Sequence, residues 1–175
     1  MSNLHKVITN TLNRNQIVLP KPNNEEIIIY DDSLLITETD TQGVITYANR
    51  RFCKISGYSK EELIGMPHSL TRHPDMPEGL FTAMWKIISA KKIWRGYIKS
   101  LSREGKYYWS LMYVQAKLGE NNEIIGYTAT RRKAYISSLE DVKKRYEELQ
   151  GKEHINDEYF MRAELYHGEE LATNG

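Results

Sequence analysis

Cysteine is all but missing from this chain: Cys53 stands alone among 175 residues. A single thiol excludes an internal disulfide and every Cys-x-x-Cys metal or haem-attachment motif. Long apolar runs are missing too. Nothing approaches the ~20 residues of a membrane-spanning helix, and Ile27–Tyr30 is too short for the core of a secretion signal. Excess charge of either sign is absent, since 24 Lys and Arg face 23 Asp and Glu for a formal net of +1. No global field therefore draws nucleic acid or an anionic membrane. The five histidines lack the paired spacing of metal ligands. There is no internal repeat and no low-complexity tract. What remains is the profile of one globular domain with extensions, expected in the cytoplasm.

Within that frame the chain changes pattern several times. Residues 1–20 are expected to form a short amphipathic helix with Leu4, Val7, Ile8 and Leu12 on one side, ended by Pro20 and Pro22. From Leu34 to Ala48 the period becomes two. Two β-rich runs flank the turn Asp40-Thr41-Gln42-Gly43, with glycine where φ must be positive. Asn49 is a ready N-cap for a helix over 50–56 that Gly57 stops, and Ser59-Lys60-Glu61-Glu62 is a capping box for one further turn. Leu80, Phe81, Met84, Trp85 and Ile88 recur at helical spacing. Three longer strands follow, over 94–102, 107–117 and 123–132, turning at Arg103–Lys106 and Leu118–Asn122. This order predicts an α+β domain with a five-stranded antiparallel sheet and helices on one face.

The strand over 107–116 is apolar on both faces: Tyr108, Met112 and Val114 on one, Tyr107, Trp109, Leu111 and Tyr113 on the other. An antiparallel strand of this kind needs cover on both sides. The helices supply one; the N-terminal segment, a second copy or a partner is expected to supply the other. Tyr135, Leu139, Val142, Tyr146 and Leu149 form a heptad seam about two heptads long. It suits a short coiled coil or a helix docked on its own domain. A further helix is expected over 155–166. The division expected is a cap or linker over 1–33, a central domain over 34–133 and a helical extension over 134–175.

Between the two halves lies the stretch from His68 to Trp85. Arg72-His73-Pro74-Asp75-Met76-Pro77 packs a guanidinium, an imidazole and a carboxylate between two prolines. Each proline fixes its own φ and pushes its predecessor towards extended geometry. The polar groups thus sit on a stiffened link ahead of an apolar helix face.

Val44–Asn49 with Phe52, Ser56-Gly57-Tyr58-Ser59 with Glu61–Gly65, Trp94-Arg95-Gly96, Arg103–Trp109 and Ile125-Gly126-Tyr127 resemble the PAS family over about 34–133. Pro67-His68, Arg72–Pro77 and Met84-Trp85 resemble, within it, the PAS domains of bacterial aerotaxis (energy-taxis) receptors. The resemblance implies a PAS fold, non-covalently bound FAD, and reporting of redox state to chemotaxis signalling. It implies that Arg72, His73 and Asp75 serve FAD binding and that Trp85 packs near the flavin. A planar guanidinium suits a diphosphate, and Met84, Trp85 and Trp94 offer an apolar slot for the ring. Ser100 and Ser110 stand where the light-sensing flavin branch often has Asn, and Thr128 where it has a Gln; with Asn49 they complete the expected cofactor-binding positions. The helix-to-helix link carries no cysteine, which weighs against adduct photochemistry. Cys53 on the earlier helix reads as a buried, unreactive thiol.

The expected function is a non-catalytic FAD-binding redox sensor. With neither a membrane span nor long receptor helices in the chain, a separate membrane-bound chemoreceptor is the expected partner, and a homodimer is open. The alternative is an apo or haem-binding PAS interaction module, with His68 or His73 as axial ligand.

Overall fold

The computed structural model describes residues 6–31 and 33–149. An N-terminal hairpin, β1 (Val7–Thr9) and β2 (Gln16–Val18), precedes the domain. The main sheet begins with β3 (Leu35–Thr39) and β4 (Ile45–Ala48). Helices α1 (Arg50–Ser56) and α2 (Lys60–Leu63), a 3₁₀ turn (His68–Thr71) and α3 (Glu78–Ser89) follow. Strands β5 (Trp94–Leu101), β6 (Tyr107–Leu118) and β7 (Ile124–Lys133) complete the sheet, and α4 (Ile136–Glu148) ends the described chain. The main sheet runs β4-β3-β7-β6-β5 with every neighbour antiparallel.

Local chemistry accounts for most of these boundaries. Asn49 caps α1 by accepting the Phe52 N–H, and Gly57 closes it in the left-handed region at φ 81°. Ser59 and Glu62 form the capping box of α2 in both directions. Gly43 takes φ 83° in the β3–β4 turn, where Asp40 accepts the N–H groups of Gln42 and Val44.

The helix expected over 1–20 is instead the β1–β2 hairpin. Asparagines decide this: Asn10 Oδ1 accepts from the backbones of Leu12 and Asn13, and Asn13 accepts from Asn15. Such side chains offer the backbone a turn in competition with helix. Arg14 adopts φ 66° within that turn. Asn10 Nδ2 also donates to the Ile64 carbonyl at 2.8 Å, and Thr11 binds Gly65, docking the hairpin beside α2. Ile8 and Ile17 pack on the cluster of Phe52, Leu63 and Tyr108. Beyond β2, the Ile27 N–H donates to the Tyr107 carbonyl and the Tyr107 N–H to the Glu25 carbonyl, pairing this segment with the start of β6, where β7 does not reach.

The second face of the sheet is covered by α4. Leu139, Val142, Tyr146 and Leu149, four of the five seam positions, are buried, while Tyr135 is 40% exposed. The Tyr146 ring stacks on Trp109 at 6.2 Å, and its hydroxyl donates to the Tyr97 carbonyl at 2.8 Å. The seam is thus spent on the chain's own sheet. The helix expected over 155–166 lies outside the described residues.

Removing only that hydroxyl, in Tyr146→Phe, is expected to lower unfolding free energy by about 1–3 kcal/mol, the cost of a buried acceptor that loses its donor. Urea titration of the variant against the parent chain measures it; an unchanged midpoint would mean that α4 is not held by this bond.

Candidate functional site

Between α3 and the sheet lies a cleft whose empty space, open solvent included, is about 660 Å³. Strand alternation builds its floor. Ile98 and Ser100 of β5, Met112 and Val114 of β6, and Tyr127, Ala129 and Arg131 of β7 all point the same way. Phe81, Met84, Trp85 and Ile88 of α3 form the roof, one side of its helical stripe. Thr39 and Gly43 close one end, and His68, Thr71 and Arg72 the other. The Trp85 indole meets Tyr127 edge-on at 5.1 Å and lies against Gly43, where an added Cβ would sit 3.4 Å from the ring.

Three of the expected positions are therefore on the wall: Arg72, Trp85 and Ser100. Arg72 is exposed at the rim, its guanidinium carbon 3.7 Å from the centre of the Phe81 ring. Desolvation against this apolar wall lowers its pKa, with Glu78 opposing. Among the described residues the guanidinium makes no ion pair.

The other expected positions are not on this wall. His73 and Asp75 lie off the cavity wall, towards the opposite face of β5. The Arg72 backbone bridges Ser100, whereas the His73 ring, 3% exposed as a residue, meets Tyr107 edge-on at 6.3 Å. Its Nδ1 accepts the Asp75 N–H at 3.0 Å, and burial, then Lys99, lower its pKa. Asp75 pairs with Lys99 at 3.0 Å. Lys99 and Tyr107 belong to the opposite set of alternating residues, so the stiffened link sends one cation to the cavity and two groups to the far side.

Trp94 is core: its indole lies over Gly96, where a Cβ would come within 2.4 Å, and it fills the space above β5 outside the cavity. Thr128 sits between Tyr127 and Ala129 and so faces the other side of the sheet, beside Glu38 and Gln115. Asn49 is used up by backbone, accepting from Ile36 and Phe52 and donating to Leu34. Ser110 shares the cavity face with Met112 but lies beyond the wall, its buried Oγ without a partner among the described residues. Cys53 is half-buried on α1, where burial raises its pKa and keeps it a thiol.

What the sequence reading missed is Arg131, 1% exposed on the cavity floor. One nitrogen, Nη2, donates to His68 Nε2 at 2.7 Å and to Thr37 Oγ1 at 3.2 Å. Thr37 in turn lies 3.0 Å from the same imidazole nitrogen. Nε2 must accept, so His68 is neutral with its proton on Nδ1. Burial, then Arg131, push its pKa down to about 3. Burial also brings Arg131 down to about 10, which leaves it protonated at neutral pH. The Phe52 ring lies 4.9 Å from this guanidinium, and no carboxylate among the described residues pairs with it. The signal was available: Arg131 continues the alternation of Tyr127 and Ala129.

This five-stranded sheet, with short helices and a cavity under the longest of them, is a PAS fold, and the pattern of the PAS-fold family matches residues 45–131. The chain carries a PAS sensor domain. That domain is related to the aerotaxis receptor of Escherichia coli (strain K12), with 36% identity over 119 residues, 68% of this chain and 23% of that protein. The nitrogen fixation regulatory protein of Klebsiella pneumoniae is 30% identical over 105 residues, 60% of this chain and 21% of its own. The chain thus spans under a quarter of either relative. The crystal structure of a PAS domain from Colwellia psychrerythraea superposes with a TM-score of 0.54 at 28% identity, covering 58% of this chain and 86% of that one.

His68 makes the fold acid-sensitive. Its folded pKa lies below the ordinary 6.5, so its contribution is complete above pH 6.5 and is lost as pH falls towards about 3. Urea titrations at pH 7 and pH 5 are expected to show lower stability at pH 5, and His68→Gln is expected to flatten that difference. An equal acid loss in the variant would assign the effect to other groups.

Proposed function

We propose that this domain binds FAD and senses redox state in energy taxis, passing the flavin's state to a membrane-bound chemoreceptor. The observation that carries the proposal is Arg72. A guanidinium without an anionic partner among the described residues stands at the mouth of an apolar cavity, within the very stretch that resembles aerotaxis PAS domains. The residues present fit the cofactor. Arg72 would hold the diphosphate at the rim, where a planar fork of donors suits phosphate oxygens. Met84, Trp85 and Tyr127 would enclose the ring, and the unpartnered donor of Arg131 offers the polar contact its edge requires. His73 and Asp75 serve by shape: their turn and the Lys99 pair hold Arg72 at the rim. When bound, FAD supplies reversible electron uptake.

The chain's own residues supply the transmission. Ile98 and Ser110 face the cavity side of β5 and β6, and their neighbours Tyr97 and Trp109 hold α4 on the other side. A change of charge or hydrogen bonding on one face shifts strands to which α4 is fastened on the other, biasing the helix between two positions. No helix among the described residues is long and apolar enough to cross a membrane, and a receptor partner supplies that link in this reading. Sensing without substrate turnover is part of the proposal.

The absorption spectrum of the purified chain, before and after dithionite, tests it. The expected outcome is a flavin spectrum that bleaches on reduction, with Arg72→Ala weakening FAD binding at least about tenfold, the worth of a charge-assisted contact. A chain that stays colourless after incubation with excess FAD and gel filtration would sink the proposal and leave an interaction module.

A further inference from the structure

Resting on the flavin reading, we propose a second polar anchor. Arg131, held by His68 and Thr37, donates from Nη1 to the pyrimidine edge of the flavin ring on the closed floor of the cavity, whereas Arg72 stands at its open rim.

A buried guanidinium usually meets a carboxylate, because an unpaired buried charge is costly. Arg131 meets none among the described residues, and its polar neighbours, a neutral imidazole and a hydroxyl, both gather on Nη2. Nη1 is buried and has no partner. The two nitrogens of the fork therefore have separate tasks: one fixes the side chain, and the other is left aimed for an acceptor. The side chain lines the cavity, so that acceptor belongs to what the cavity holds.

Its place relative to Arg72 says which part. Arg72 bridges Ser100 on the edge strand β5 and is exposed, whereas Arg131 lies on β7, two strands further in, and is closed to solvent. Two strand spacings are about 10 Å. The cavity thus offers one cation at the rim for phosphate and another at the floor, past the apolar stretch of Met112 and Val114, for the acceptors of an aromatic ring. An imide edge with carbonyl oxygens and a ring nitrogen meets that description. Two-electron reduction with uptake of one proton leaves a net negative charge on that edge, so the same guanidinium favours the reduced state.

The experiment compares FAD with riboflavin, which lacks the phosphates, on the full chain and on Arg131→Gln and Arg72→Ala. Binding is read by quenching of flavin fluorescence, and the midpoint potential by dithionite titration against a reference dye. Arg131→Gln is expected to weaken both flavins by about 10- to 100-fold and to move the potential to more negative values, with the far-UV circular dichroism of the parent chain. Arg72→Ala is expected to weaken FAD and leave riboflavin nearly unchanged. Loss of FAD alone in Arg131→Gln would place Arg131 at the phosphates and overturn the ring assignment. Unchanged affinity and potential would overturn it entirely. If Arg131→Gln fails to fold, Arg131→Lys carries the test. A lysine ammonium is a point charge without the planar fork that fixes one nitrogen on His68 while aiming the other at the ring, so wild-type affinity for both flavins there would equally overturn the proposal. A parent chain that binds neither flavin defeats the cofactor reading itself, and this one with it.

Discussion

Strand β6 is apolar on both faces, and most of the architecture answers to that. Tyr108, Met112 and Val114 look to one side and Trp109 and Leu111 to the other, and all five are buried. Each of these side chains is worth about 1.5–3 kcal/mol when withdrawn from water. No single layer of helices can collect both halves of that gain. The chain solves this with α3 and the short helices on one face and α4 on the other, so the sheet is the middle of three layers. A sheet enclosed this way reports events on one face to the other, because neighbouring residues of one strand are the walls of both.

Charge is distributed with similar economy. On the outside, Glu62–Arg103, Asp75–Lys99 and Glu38–Lys117 pair at 2.8–3.2 Å, which adds little stability at solvent-exposed positions. Around the cavity the pairing stops. Arg72 and Arg131 approach it without a carboxylate partner among the described residues, and His68, bonded to Arg131, is held neutral. A cavity with one cation at its rim and another on its floor, otherwise lined mainly by apolar carbon, is arranged for a largely apolar ligand that carries acceptors at those two places.

Much of this was legible from the residues. Period-two runs gave all five strands of the sheet within a residue or two, since turn glycines and asparagines bracket them. Asn49, Gly57 and Ser59 marked helix ends because capping is a local reaction of a side chain with the backbone beside it. The N-terminal hairpin escaped, since Leu4, Val7, Ile8 and Leu12 suit a helix and the contest was settled by Asn10 and its distant acceptor at Ile64. Site residues divided along the same line. Arg72 and Trp85 stand on the wall, while His73 and Asp75 turn to the far side of β5, a matter of how Pro74 and the His73 turn steer the chain. Thr128 was a one-residue slip, and in a strand one residue means the opposite face. Arg131 escaped through its company: in Arg131-Arg132-Lys133 it reads as part of a solvated basic run, and only the strand's alternation separates it from its neighbours.

The edge strand β5 is where these threads meet. An exposed strand edge offers unpaired backbone groups to any passing chain and needs protection. Here the stiffened link supplies it: the Arg72 backbone bridges Ser100, and Met76 sulfur accepts the Lys99 N–H at 3.4 Å. On the outer face Tyr146 occupies the Tyr97 carbonyl. The segment that brings Arg72 to the cavity is therefore bonded to the same strand that anchors α4. A ligand pulling on Arg72 loads the link, the link loads β5, and β5 holds the helix. The sensing proposal needs no long chain of intermediates between cavity and helix, because one strand touches both.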